Sequence, residues 1–141
     1  ELIIFPYRYD NGLKKIGENF CNEFPLAYEY LERYRDELEK SNKDSGALWF
    51  EYGRSQALTK INTGKLLISP IVSNKVNVTI LDQMHIPYSG IVITAKNNNL
   101  LTEAKRILES EDFLKYIESI GIKSNGNSIR ISGTDIKKYK Y

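Results

Sequence analysis

Two short runs hold the side chains best suited to touching another molecule. Tyr52-Gly53-Arg54-Ser55-Gln56 puts Tyr52, Arg54 and Gln56 within five residues, and Lys123 to Arg130 offers Lys123, Asn125, Asn127 and Arg130 on a turn with little apolar content. Arg and Lys donate to guanine in the DNA major groove, and Asn and Gln pair bidentately with adenine. The chain has 10 tyrosines, several beside a cation, as in Pro6-Tyr7-Arg8-Tyr9 and the closing Lys137-Lys138-Tyr139-Lys140-Tyr141. Aromatic rings can stack on bases while basic side chains meet phosphates. A plainer account competes. Polar turns are exposed by default, and helical tyrosines such as Tyr28, Tyr30 and Tyr34 are ordinary core and rim.

Residues for catalysis are sparse. Cys21 is the only cysteine and His85 the only histidine, too few for a zinc site. Cys21 stands beside an aromatic-rich helix start and reads as a small buried hydrophobe. His85 falls in a loop between strands, where a structural or incidental role is the default. There is no nucleophile elbow, no phosphate-loop lysine and no dinucleotide fingerprint. Glu29 and Arg33, like Glu32 and Asp36, stand one helical turn apart, so the acidic cluster reads as a solvated, salt-bridged face. The chain is poorly equipped as an independent enzyme.

The elements that would position these residues can be read in order. Leu2–Asp10 is β-rich, and Asp10-Asn11-Gly12 is a turn signal. Phe24–Lys40 is the clearest helix, with Pro25 at its first position and Ala27, Leu31, Tyr34 and Leu38 on one face. Ser41–Gly46 is a polar loop. From Trp49 the pattern turns to strands, strongest at 65–72, 75–82 and 89–96. Trp49 and Phe50 read as core that fixes the first of these strands against the helix. Helices follow at 100–109 and 111–120, with Gly121 as a helix C-terminal glycine. A last strand lies between the turns Asn125-Gly126 and Ser132-Gly133. This order predicts an α+β domain: a mixed, mostly antiparallel sheet with an N-terminal helix and two C-terminal helices packed on it.

The 141 residues make one domain's worth of chain, and 41% hydrophobic residues can bury a real core. The net charge of +2 forces no attraction to nucleic acid. Its distribution says more: residues 1–46 sum to −3, 47–99 to +3 and 100–141 to +2, with five cations against one acid from Gly121 onward. The lone cysteine fits a reducing compartment. No apolar run reaches the length of a membrane span. Both ends read as interior sequence, so we expect a domain excised from a longer protein.

The ordered set Phe24, Pro25, Tyr28, Tyr30, Leu31 and Leu38, then Trp49, Tyr52, Gly53, Arg54, Gln56, Lys65 and Leu66, resembles the C-terminal target-recognition domain of adenine-specific DNA methyltransferases. It is most similar to those of type II restriction–modification enzymes. Less specific matches in 89–96, 100–121 and 129–139 extend the resemblance over nearly the whole chain. It implies that this segment recognises double-stranded DNA at a specific sequence and has no catalytic, cofactor-binding or metal-binding residues of its own. Methylation would belong to an upstream domain of the same chain, which binds S-adenosylmethionine and holds the flipped adenine through a motif with paired prolines. Pro6, Pro25, Pro70 and Pro87 never pair, so that motif is absent here. Some members also carry a nuclease domain. The implied setting is the cytoplasm of a bacterial-type cell. The expected DNA contacts are Tyr52, Arg54, Gln56, Asn125, Asn127 and Arg130, with Lys60, Lys65, Lys75 and Lys123 as phosphate holders. Arg54 is left with three partners open to it: a base, a phosphate or the carboxylate of Glu51. The alternative is a protein-interaction or scaffold module without base contacts.

Overall fold

The computed structural model describes residues 2–60, 62–87, 89–95, 98–124 and 126–141, without the side chains of Gln56, Asn98 and Asn99. It is an α+β structure in which every described strand pair is antiparallel. The chain divides into two compact units, Glu1–Thr59 and Lys60–Tyr141.

The first unit opens with a hairpin, β1 (Tyr7–Tyr9) against β2 (Leu13–Lys15). Asn11 and Gly12 close it with φ of 49° and 132°, the left-handed region that Asn and Gly tolerate. Then come α1 (Phe20–Glu23), α2 (Pro25–Glu32) and α3 (Arg35–Lys40). The single helix expected over Phe24–Lys40 is thus interrupted at Arg33 and Tyr34. Tyr34 leaves the helical region at φ −113°, ψ 15°. Neither Gly nor Pro marks the break, so the apolar period runs straight through it. Beyond it, Arg35 bonds Glu32 and Glu39 and lies 5.0 Å over the Trp49 ring. Pro25 does begin α2.

The strand expected from Trp49 is absent among the described residues. Residues 41–55 form an irregular loop held by hydrogen bonds: the Asp44 N–H donates to Gly53 O at 2.9 Å, and the Ser55 N–H donates to the Asp44 carboxylate at 3.1 Å. Phe50 is buried against Phe20, ring centroids 5.0 Å apart, and Trp49 meets Tyr28 edge-on at 5.5 Å. These rings are core, as their composition suggested, but they anchor a loop rather than a strand.

The second unit has two three-stranded sheets. In one, β3 (Lys65–Ile68) is central, between β5 (Val78–Leu81) and β6 (Ile91–Thr94). In the other, β8 (Ile129–Arg130) is central, between β4 (Ile71–Val72) and β7 (Ile122–Lys123). Helices α4 (Asn98–Leu108) and α5 (Glu111–Ile120) follow the expected spans closely, and a third, α6 (Gly133–Lys138), ends the unit. Leu66, Ile68, Val78, Leu101, Phe113 and Ile117 meet in one core, mostly aliphatic, with the Phe113 ring centroid 5.0 Å from that of Tyr139. Ser110 caps α5 by accepting the Phe113 N–H, and Ser132 with Asp135 forms a capping box on α6. Gly121 ends α5 in its expected place for a different reason. Its φ of −72° is ordinary, but a Cβ there would lie 2.0 Å from Ile129 Cγ2 and 2.6 Å from Ile117 O.

Candidate nucleic-acid interface

The two sequence runs singled out as contacts fall in different units. In the first, Tyr52 is half-buried and committed internally. Its hydroxyl donates to Ile4 O at 2.7 Å, and its N–H donates to the Tyr7 hydroxyl at 2.9 Å. Burial pushes both phenols up from the ordinary tyrosine range. Gly53 is required by close approach, since a Cβ there would lie 2.3 Å from Asn42 O. Glu51 is buried beside it. One carboxylate oxygen accepts from Lys15 Nζ at 2.6 Å and from the Leu48 N–H at 3.0 Å, while Oε1 has no hydrogen-bond partner among the described residues. Arg54 is exposed and makes no ion pair among the described residues, so its proposed link to Glu51 is not made. The Gln56 side chain lies outside the described residues. Cys21, expected to be buried, is half-buried, and its thiol donates to Glu18 O at 3.2 Å.

Lys60 is exposed where the two units divide. Lys65 corrects the expectation of a phosphate holder, because it is wholly buried. The reason is topological. β5 and β6 are both antiparallel to β3, one on each side, so the chain between them must return along the sheet. On β3, Leu66 and Ile68 face the core, which turns Lys65 and Leu67 to the opposite face. The returning segment covers that face. Lys65 Nζ donates to Asp82 O at 2.5 Å and His85 O at 2.8 Å, and a Cβ on Gly90 would lie 2.7 Å from Leu67 Cδ1. Desolvation lowers the Lys65 pKa against the opposing effect of Asp82. His85 lies in the expected loop, its Nδ1 2.7 Å from Asp82 Oδ1. That bond is the first cause of the lowered Asp82 pKa, with the Met84 N–H second.

The remaining candidates are exposed in the second unit. Lys75 makes no ion pair among the described residues; its charge adds to the lowering of the Glu109 pKa, which is due first to the Lys105 hydrogen bond and then to the Val78 N–H. Lys123 and Asn127 meet in one open polar recess of about 620 Å³. Ser73, Asn74, Glu118 and Ser128 share it, and the Ser73 and Ser128 hydroxyls are 3.0 Å apart. Arg130 does not line the recess. It pairs with Ile71 on one side and Ile122 on the other, both exposed, on the face of β8 opposite the buried Ile129. Asn125 lies outside the described residues. Glu118, Ser73, Asn74 and Ser128 were missed in the sequence. The available hint was the polar Ser73-Asn74 turn between two strand patterns; Glu118 reads there as one more solvated helix charge.

Among the described residues no three His, Cys, Asp or Glu side chains could hold a metal ion, and no helix is long and apolar enough to cross a membrane. No family model, curated protein or solved structure matches the chain.

Proposed function

We propose that this chain is the target-recognition part of an adenine-specific DNA methyltransferase or restriction–modification enzyme, holding duplex DNA while a separate domain performs methylation. The observation that carries the reading is the charge of the second unit. Lys60–Tyr141 holds twelve Lys and Arg against seven Asp and Glu, a balance of +5. Lys75, Lys123 and Arg130 are exposed there and enter no ion pair among the described residues. Cations without protein partners suit phosphates, whose condensed counterions they displace. The sequence resemblance supplies the adenine-methylating setting, and S-adenosylmethionine would bind the upstream domain rather than these residues.

A titration of the chain onto duplex DNA at rising salt tests this. Affinity should fall steeply, as counterion release requires. Absence of binding at low salt, both by this chain and as a difference on deleting it from its parent enzyme, would sink the proposal. A second reading, a protein-docking module, draws on Ile71 and Ile122, which are 52% and 73% exposed on either side of Arg130. It predicts loss of partner binding, with DNA affinity unchanged, on Ile122→Ser.

A further inference from the structure

The polar recess holds two opposite charges that do not pair. Lys123 and Glu118 both line it, yet neither enters an ion pair with any described residue. Glu118 is also poorly placed for the fold. It stands in the last turn of α5, a helix with no basic residue there, where the carbonyl ends disfavour a carboxylate. In a unit that carries +5, a carboxylate that shares a recess with an exposed lysine repels a phosphate backbone brought to that lysine. Such a group favours binding only where a ligand brings a hydrogen-bond donor to it.

The shape narrows the ligand. The recess is concave, whereas base edges inside a duplex are read by protruding elements that enter the groove. Its volume of about 620 Å³ lies within the usual range for small-ligand sites. Asn127 adds an amide that both donates and accepts, and Ser73 and Ser128 add two linked hydroxyls. A phosphate on Lys123, an exocyclic amino group on Glu118 and a ring edge on Asn127 together describe one nucleotide out of the base stack.

We infer that this recess takes a single unstacked nucleotide whose base carries an exocyclic amino group: cytosine, adenine or guanine. The inference rests on the DNA-binding reading and makes Glu118 a specificity-determining residue within it. Glu118 accepts from the amino group, and Lys123 holds the phosphate whichever base is present. Thymine, which has no exocyclic amino group, leaves the carboxylate unpaired against the DNA and is rejected.

The probes are 20-bp duplexes, one fully paired and others with a single unpaired cytosine, adenine or thymine, together with free cytidine monophosphate. The chain should bind the cytosine or adenine bulge about tenfold more tightly than the thymine bulge, the size of one good hydrogen-bonded base contact. Glu118→Gln should erase that preference while raising affinity for the paired duplex. Glu111→Gln, on the same helix outside the recess, should leave the preference intact. Lys123→Ala should weaken all four duplexes alike and reduce the salt slope by about one. Binding of cytidine monophosphate with the same Glu118 dependence would identify the free nucleotide as sufficient. Equal affinity for all bulges, or a preference that survives Glu118→Gln, would overturn the inference and leave DNA binding standing. Failure of the chain to bind any of the duplexes, together with no loss of their binding on deleting it from its parent enzyme, would remove the DNA reading itself.

Discussion

The first unit is acidic and packed with aromatic rings; the second is basic and built mainly on aliphatic side chains. Glu1–Thr59 carries eight Lys and Arg against eleven Asp and Glu, a balance of −3, while Lys60–Tyr141 carries +5. In the first unit Phe5, Tyr7 and Tyr52 form one ring cluster, and Phe20, Tyr28, Trp49 and Phe50 another. Its helices α2 and α3 bury no residue fully. In the second unit α5 sinks Phe113 and Ile117 completely. The difference teaches that aromatic-rich sequence need not mean contact surface. The tyrosines that looked like stacking platforms, Tyr7 and Tyr52, meet each other and bond internally, and the exposed Lys75, Lys123 and Arg130 lie in the unit with fewer rings.

The largest expected effect is on the core of the second unit. Phe113→Ala should destabilise the second unit by about 3–5 kcal/mol, seen as lost amide protection across residues 62–141. Phe50→Ala, in the looser aromatic cluster, should cost about 2 kcal/mol. Equal loss of protection in both units on Phe113→Ala would break the division into two.

Next is Lys65→Met. It keeps much of the stem but orphans Asp82 O and His85 O, and should cost about 2–3 kcal/mol in urea unfolding. A pH arm sharpens it. Because the folded Lys65 pKa is lowered, the unfolded chain binds more protons in the window from that folded value up to the ordinary lysine range. Wild-type stability should therefore gain relative to Lys65→Met as pH rises through that window.

Smaller effects separate the two units as DNA contacts. Arg54→Ala should change preference at one base position by about 1–3 kcal/mol if Arg54 reads a base. Lys75→Ala should weaken all duplexes equally by under about 1 kcal/mol. A uniform small loss for Arg54→Ala would make it a phosphate contact, and no loss would confine DNA binding to the basic unit.

The smallest effect is at the α6 cap. Asp135 is held below its ordinary range, first by the Ser132 hydroxyl and then by the Ser132 N–H. A depressed carboxylate stabilises above its unfolded pKa and loses that stability as pH falls through the folded one. Asp135→Asn should therefore lower the thermal midpoint slightly at neutral pH and match wild type in strong acid.

Features under local chemical control can be read from the residues alone. The periods of α4 and α5, the start of α2 at Pro25 and the Asn11-Gly12 hairpin are all legible because each depends on residues within a turn or two. The polar run from Lys123 to Asn127 was legible as exposed for the same reason. The rest depends on contacts between distant segments. Lys65 is buried because a return crossover lies over its strand, and no local pattern encodes which face a distant segment covers. Gly53 and Gly121 are required by backbone and side chains elsewhere in the chain. Glu118 lines one recess with Lys123 and Ser73 only because folding brings α5, β7 and the Ser73-Asn74 turn together. A helical charge acquires its meaning from what the fold brings opposite it.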